Sequence, residues 1–232
     1  MNLGTTLMAQ AIRMVNHDRK GCLDLINQDM KKYGIPKSAK LLTKNAKLDK
    51  VIKGYLNCGH FISAHKFASE NLSSVMNDYI ASRIDFFKRL NTCPMATTDS
   101  IHGCSKVCLM HSSGLNILPV AQQAKVRKTL WLAGDTLSYF MKLYIEISNF
   151  RVLAYRKGLK PCIRLNGTSD ILWEVVAPEI FEEFDDVQFY DYTKFNSKQR
   201  AENPFPNYNL TISYTGINAD DCKKRLDEGG RV

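Results

Sequence analysis

The sequence predicts an α/β fold, in which a helical amino-terminal region precedes a parallel sheet arranged like part of a βα barrel. Apolar residues recur at helical spacing over residues 5–33 and 121–157. Beyond residue 157 the pattern changes to strand, helix, strand, loop and strand, an order that favours a parallel sheet. With 232 residues, of which 44% are hydrophobic, the chain is long enough for one good-sized domain or a domain with an appended module.

We assign residues 1–37 to a helical segment and residues 38–232 to the barrel-like domain. Residues 5–33 are predicted to form one or two amphipathic helices that end near Gly34-Ile35-Pro36. The elements predicted after them, up to residue 157, are a basic loop at 38–53, a strand and turn at 54–60, a helix at 72–90, a cysteine loop at 91–115 and a long helical stretch at 121–157, broken near Gly134-Asp135. The elements predicted beyond it are a strand at 162–166, a helix at 173–184 and strands at 187–192 and 208–214.

The last residues, Gly229-Gly230-Arg231-Val232, are typical of a turn that enters another strand. We therefore expect the partial barrel to be truncated at its carboxyl end. A natural tail is the alternative interpretation.

Polar side chains follow the predicted strands at the places where working residues of parallel sheets collect, just beyond the carboxyl ends. Asp170 and Asp191 are candidates for a general base, a nucleophile or a ribose-binding carboxylate. Asn166 and Lys194 are suited to donate hydrogen bonds to a base or a phosphate. We predict catalytic roles for Asp170, Asp191 and Lys194. The structural alternative is turn and capping chemistry, because Ser169-Asp170 before Ile171 resembles a helix N-cap.

Three cysteines in one loop form the strongest chemical signal of the chain. Cys93, Cys104 and Cys108 are separated by ten and three residues. Thiolates suit iron–sulfur clusters and zinc, so we predict that these three bind a metal centre. With zinc, His102 or His111 would supply the fourth ligand. The spacing matches neither the CxxxCxxC motif of radical S-adenosylmethionine enzymes nor paired CxxC zinc knuckles. Three free buried thiols are the alternative.

Other candidate groups have stronger structural interpretations. Cys58, His60 and His65 form a second potential metal set, although such a set is common by chance. The remaining cysteines are expected to pack in the core; they are Cys22, Cys162 and Cys222. The aromatic side chains at 189, 190 and 192 could stack a nucleobase, but aromatic residues in strands more often belong to the core.

Composition narrows the class of protein. The net charge of +9 suggests an anionic partner, and nucleic acid is the first candidate. A solvated basic surface is the alternative.

The apolar runs fall well short of the roughly 20 residues that cross a bilayer, and no secretory signal is evident, so no membrane partner is expected. The seven cysteines are odd in number and irregularly spaced, which favours a reducing cytosol over a disulfide framework. GxGxxG, P-loop, HExxH and GxSxG motifs do not occur.

Several runs of this sequence resemble the phage Gene 88 protein family. The runs that carry the resemblance are Thr43-Lys44-Asn45-Ala46-Lys47-Leu48, Gly54-Tyr55-Leu56-Asn57, Asn91-Thr92-Cys93-Pro94-Met95-Ala96, Cys104 with Cys108-Leu109, residues 164–170 and residues 187–194. The resemblance covers roughly residues 40–232. It implies a phage or prophage origin and a role in the cytoplasm of the bacterial host. Family members continue beyond the equivalent of Val232, which adds to the expectation of truncation.

The layout of this family is similar to that of radical S-adenosylmethionine enzymes. By that analogy the three loop cysteines would hold an iron–sulfur cluster, and the residues that meet the cofactor S-adenosylmethionine would be Asn166, Gly167, Thr168 and Ser169. The resulting hypothesis is a metal-dependent phage enzyme that modifies nucleic acid, most simply a DNA base. One alternative is a base-exchange enzyme resembling guanine transglycosylases, with structural zinc. Another is a zinc-stabilised nucleic-acid-binding or host-interaction protein without catalysis.

Overall fold

One sheet of five strands organises the part of the chain that the computed structural model describes, residues 6–44, 48, 53–93, 108, 118–194, 200, 203–214 and 218–232. The strands follow each other in space as in sequence: β1 (Leu42–Thr43), β2 (Tyr55–His60), β3 (Lys160–Arg164), β4 (Gln188–Thr193) and β5 (Tyr208–Ile212). Strands β2 to β5 pair in parallel, whereas β1 runs antiparallel to β2. The prediction of a mixed α/β fold with a parallel sheet is confirmed.

The sheet is open, so the prediction of barrel-like closure is not confirmed. In a βα barrel, sequential parallel strands are neighbours, as they are here. Closure of the barrel would need a further parallel strand beside β2, on the side opposite β3. The short strand β1 occupies that edge in antiparallel orientation. At the opposite edge, Arg231 forms an isolated parallel bridge with Thr211 of β5.

Two capped helices form the amino-terminal region, as predicted. Helix α1 (Leu7–His17) begins after Thr6, whose side chain accepts a hydrogen bond from the Ala9 amide, and α2 (Arg19–Lys32) begins after Asp18, which caps Gly21 in the same way. An oxygen acceptor at the N-cap satisfies amides that otherwise lack partners. Both helices bury one apolar side in the same core as the sheet.

The predicted helix at 72–90 is divided into several short elements. These are a 3₁₀ turn (Leu72–Val75), α4 (Asp78–Ser82) and α5 (Ile84–Phe87), and a further short helix, α3 (Phe67–Glu70), precedes them. Asn77 has an extended backbone and accepts a hydrogen bond from the Ile80 amide, so it starts a new helix instead of continuing the previous one. The apolar residues of this segment have helical spacing, but the N-cap at Asn77 divides the predicted helix.

A pair of helices breaks where predicted, and its second member packs on the inner face of the sheet. Helix α6 (Pro119–Gly134) and helix α7 (Thr136–Arg156) meet at Asp135, which accepts hydrogen bonds from the hydroxyls of Tyr33 (2.6 Å) and Tyr79 (2.8 Å). Gly134 is required there because a Cβ atom would overlap the Tyr33 hydroxyl. Helix α7 packs on β3 and on both amino-terminal helices.

Short helices connect and follow the later strands. The predicted helix at 173–184 is divided into α8 (Trp173–Val176) and α9 (Glu179–Glu183), because Pro178 stands between them and lacks the amide that a continuous helix would use. Helix α10 (Ala219–Asp227) follows β5. No described helix is both long enough and apolar enough to cross a membrane.

The close approach at Gly134 yields a testable prediction. We expect Gly134→Ala to lower the free energy of unfolding by about 1–3 kcal/mol, because overpacking at this site outweighs the helix-propensity gain. Tyr33→Phe alone should cost about 1 kcal/mol through its lost hydrogen bond to Asp135. The double variant should lose less than the sum in urea unfolding, since the clashing hydroxyl is absent. Strictly additive losses would contradict this account.

Candidate functional site

The carboxyl ends of β2 and β3 are tied together, so the predicted convergence of polar residues at this edge of the sheet takes place. The Gly167 amide donates to the carbonyl of His60 (3.0 Å), and the Thr168 hydroxyl donates to the carbonyl of Ile62. The Asp170 amide donates to the carbonyl of Thr92 (2.9 Å). Residues 166–170 therefore lie between the end of β2 and the start of the cysteine loop.

Asn166 is the centre of a buried hydrogen-bond network. Its side-chain Nδ2 donates to the carbonyl of Ile171 (2.9 Å) and to Asp191 Oδ2 (3.2 Å). Its Oδ1 accepts from the Ser169 hydroxyl (2.9 Å), the Ile171 amide (2.9 Å) and the Trp173 indole nitrogen (3.2 Å). Asn166 is 1% exposed, so its amide group shapes the loop and is committed to protein partners.

Asp191 lies on the inner side of β4, beneath that loop. Its carboxylate accepts from the backbone amide of Asn166 (2.6 Å) and from the Tyr208 hydroxyl (2.9 Å), in addition to the Asn166 side chain. Burial raises the pKa of Asp191 to about 7, although these donors favour the ionised form. The carboxyl therefore exchanges a proton near neutral pH, but it is only 1% exposed.

Asp170 takes part in a second network that contains an arginine absent from the sequence-based predictions. Asp170 Oδ1 lies 2.6 Å from Arg200 Nη1, and Oδ2 accepts from the backbone amide of Lys194 (3.0 Å) and the Thr193 hydroxyl (3.2 Å). Arg200 Nε also donates to Glu174 (2.6 Å). Burial lowers the pKa of Arg200, but the hydrogen bond and charge of Glu174 outweigh it and raise the value overall.

Exposure separates the predicted site residues into two groups. The buried members are Asn166, Gly167, Ser169 and Asp191, and the partly exposed members are Thr168, Asp170 and Lys194. The network residues that the sequence did not reveal, Glu174, Arg200 and Tyr208, follow no motif. Tyr208 lies in a predicted strand that pairs with the strand of Asp191, and this strand pattern is the one sequence signal that could have placed a network residue near Asp191.

Cys93 brings the cysteine loop to this edge of the sheet. Its Sγ atom lies 3.9 Å from the carbonyl oxygen of Thr168. Burial raises the pKa of its thiol to about 11, and the neighbouring Asp170 carboxylate and Cys108 thiol contribute in the same direction. Cys108 is partly buried against the core, whereas Cys104 lies outside the described residues, as do His102 and His111. Within the described ranges no group of three or more potential ligands is arranged for a metal ion.

Cys58 and His60 behave as core residues. His60 is fully buried, with Nδ1 2.8 Å from the carbonyl of Leu165 and Nε2 against the Tyr139 hydroxyl. Because Nδ1 donates to the carbonyl, Nε2 accepts, and burial lowers the pKa of the ring to about 4. Both ring nitrogens of His60 therefore have protein partners, which favours the packing interpretation for this residue. Cys58 is also buried, whereas His65 is partly exposed. The residues predicted to pack are all buried: Cys22, Cys162 and Cys222.

Comparison with known protein families identifies the family of this chain. A family model described as Gene product 88 matches residues 39–232. The chain belongs to the phage gene product 88 family. No curated protein and no solved structure matches it. The gene product 88 region begins after α2, so it contains the whole sheet, the cysteine loop and both hydrogen-bond networks.

The buried Asp191 carboxyl predicts a pH dependence of stability. Its folded pKa of about 7 lies above the ordinary value of 3.8, so between these values the folded chain holds a proton that the unfolded chain has released. The stabilisation is present below about pH 4 and is lost as the pH rises through 7. In denaturant unfolding, the stability difference between wild type and Asp191→Asn should shift by at most about 4 kcal/mol over this range. A difference that does not vary with pH would contradict the assignment.

Removal of the buried arginine should be far more damaging than removal of an exposed one. We expect Arg200→Met to lower the free energy of unfolding by about 3–5 kcal/mol, because the carboxylates of Asp170 and Glu174 would lose the cation that balances their charge. The control is Arg151→Met, whose ion pair with Asp186 is substantially exposed. That variant should lose less than about 1 kcal/mol. Equal losses would show that the Arg200 network contributes little to folding.

Proposed function

We propose that this chain is a metal-dependent phage enzyme that modifies nucleic acid, with a DNA base as the target, in the cytoplasm of the bacterial host. The observation that carries the proposal is the position of Cys93 beside Thr168 and Asp170, at the carboxyl ends of the parallel strands. In α/β sheets this edge is where ligands bind and chemistry takes place. The net charge of +9 supports a polyanionic substrate.

The donor set fits a sulfur-bound metal. Cys93 and Cys108 are neighbouring, partly buried thiols, and Cys104 is the third member of the proposed set. Three thiolates suit an iron–sulfur cluster that keeps one iron open, and together with S-adenosylmethionine such a cluster supplies radical chemistry. A metal would also favour the thiolate form of Cys93, whose pKa is otherwise raised by burial.

The chain's own residues would position the substrate and the cofactor. Asp170 is fixed by Arg200 and by the Lys194 amide, and its side chain is 12% exposed, so it is the carboxylate placed to accept a hydrogen bond from a ligand. The partly exposed Lys194 side chain is suited to contact a phosphate. Thr168 presents its backbone beside Cys93. We assign the buried Asn166, Ser169 and Asp191 to positioning, because their polar atoms hold the loop in place.

Two alternatives are favoured by particular features. Carboxyls at the ends of neighbouring strands, Asp170 and Asp191, favour a base-exchange enzyme with structural zinc, in which one would act as nucleophile and the other as base. The saturation of both carboxylates by internal hydrogen bonds favours instead a zinc-stabilised binding protein without catalysis. Bound zinc would support these two alternatives, whereas a bound iron–sulfur cluster would support the radical enzyme.

The test is metal content after expression without oxygen, with iron and zinc both supplied. We expect bound iron with acid-labile sulfide and visible absorption, lost in Cys93→Ala and Cys104→Ala. Cys22→Ala is the matched control, because Cys22 is a buried thiol in α2 outside the family match, and it should keep the metal. Zinc alone would overturn the radical proposal in favour of the two alternatives. A chain without any metal would overturn the metal centre itself.

A further inference from the structure

The outer face of the sheet, opposite α7, is partly open along β4 and β5. Parallel sheets usually carry helices on both faces and bury both. Here burial alternates: Phe189, Asp191 and Thr193 are buried, whereas Tyr190 is only partly buried and Tyr192 is 48% exposed. In β5, Asn209 and Thr211 are likewise partly exposed between buried neighbours. Successive side chains of a strand point to opposite faces, so these residues share the outer face.

Strand pairing gathers the outer-face residues into one surface. Tyr190 pairs with Asn209 and Tyr192 pairs with Thr211. The tyrosine rings lie 6.4 Å apart at 85°. From β3, the Arg164 guanidinium lies 4.9 Å from the centroid of the Tyr192 ring. We call this surface the tyrosine face; its members are Lys160, Arg164, Tyr190, Tyr192, Asn209 and Thr211.

The charge of this face has one sign. Arg164 and Lys160 alternate onto it from β3, and none of the described strand residues that point to it is an aspartate or glutamate. The acidic residue of these strands, Asp191, points to the inner face. Aromatic rings beside cations and without carboxylates form the chemical surface that single-stranded nucleic acids bind, by base stacking and phosphate pairing.

An unsatisfied polar group beside the tyrosines points to a ligand independently. Asn57 in β2 is 3% exposed, and its Nδ2 donates to the Tyr190 hydroxyl (3.0 Å). Its Oδ1 is buried and has no hydrogen-bond partner. If the Asn57 side-chain amide were rotated by 180°, its Oδ1 would accept from the Tyr190 hydroxyl and its Nδ2 would lack a partner instead. The Tyr190 hydroxyl can contact only one of the two atoms. Buried polar groups without partners cost free energy, which a ligand donor or acceptor at this site would recover.

The tyrosine face also adjoins the candidate functional site. Arg164 Nε donates to the backbone carbonyl of Asn166 (3.1 Å), the residue that begins the 166–170 loop. Tyr192 is followed directly by Thr193 and Lys194, which contact Asp170. A nucleic-acid strand that crosses the face towards the carboxyl ends of β3 and β4 would therefore approach Asp170.

We propose that the tyrosine face binds single-stranded nucleic acid, with bases stacked on Tyr192 and Tyr190 and phosphates paired with Arg164 and Lys160. The inference rests on the proposed function in one respect, because it specifies the strand state of the substrate of that site. Stacking requires base faces, which a duplex does not offer. Binding should therefore favour single strands and tolerate different sequences.

The experiment measures fluorescence anisotropy of a labelled oligothymidylate of about 15 nucleotides, with a duplex of equal length as the comparison. We expect the single strand to bind more tightly than the duplex. Tyr192→Ala should weaken single-strand binding by about tenfold or more, whereas Tyr192→Phe should retain it because the ring remains. Circular dichroism checks that the variants fold, which the exposure of Tyr192 favours.

A matched control comes from another exposed tyrosine. Tyr155 on α7 is 49% exposed, so Tyr155→Ala should leave binding unchanged. Equal affinity for duplex and single strand, or full binding by Tyr192→Ala, would overturn the inference in favour of general attraction to a basic surface. The binding experiment and the metal analysis can fail separately. If the chain holds its metal centre but does not bind single strands, only the tyrosine-face proposal is rejected. Stacking-dependent binding without any metal rejects the enzyme and retains the face.

Discussion

Hydrogen bonds between Asn166 and Asp191 join the carboxyl ends of β3 and β4, and the geometry of the whole candidate site depends on them. Asp191 receives the backbone amide of Asn166 at 2.6 Å and its side chain at 3.2 Å, while Tyr208 connects β5 to the same carboxylate. Buried polar groups are costly unless each finds its partner, so such a network admits few alternative loop conformations. The resulting loop fixes the Asp170 amide against Thr92, and thereby the position of Cys93.

The carboxylates of Asp170 and Asp191, which follow or lie in neighbouring strands, are stabilised in different ways. Asp170 faces the Arg200 guanidinium, which also pairs with Glu174, so charge is balanced by charge. Asp191 is held by neutral donors, and burial raises its pKa to about 7. The first arrangement makes a rigid, charged corner beside Cys93. The second places a carboxyl of raised pKa beneath the loop, where its hydrogen bonds go to Asn166 and Tyr208.

The features that the sequence predicted well are those with a short-range signal. The strands β4 and β5, the helical spacing of α6 and α7 and the break at Gly134 all follow from neighbouring residues. The convergence of Asn166, Asp170 and Asp191 followed from the general property that parallel strands end at one edge.

Long-range features were not predictable in this way. Arg200 reaches Glu174 and Asp170 across 26 and 30 residues of sequence, and no motif marks that pairing. The open sheet depends on which strand occupies the edge of β2, and the antiparallel two-residue strand β1 is too short to produce a clear period. The division of the 72–90 helix depends on a single capping side chain, Asn77, within an otherwise helical pattern.

The alternation of the strands gives the two faces of the sheet different side chains, and Arg164 contacts groups on both the outer face and the loop. On the outer face its guanidinium stacks on Tyr192, while its Nε donates to the carbonyl of Asn166 at the start of the loop. A base that stacked on Tyr192 would compete for the same ring surface, and Arg164 would have to move. The loop hydrogen bond would then change together with the cation–π contact. Since any such coupling free energy is reciprocal, a ligand that stabilised the 166–170 loop would alter affinity at the tyrosine face by the same factor.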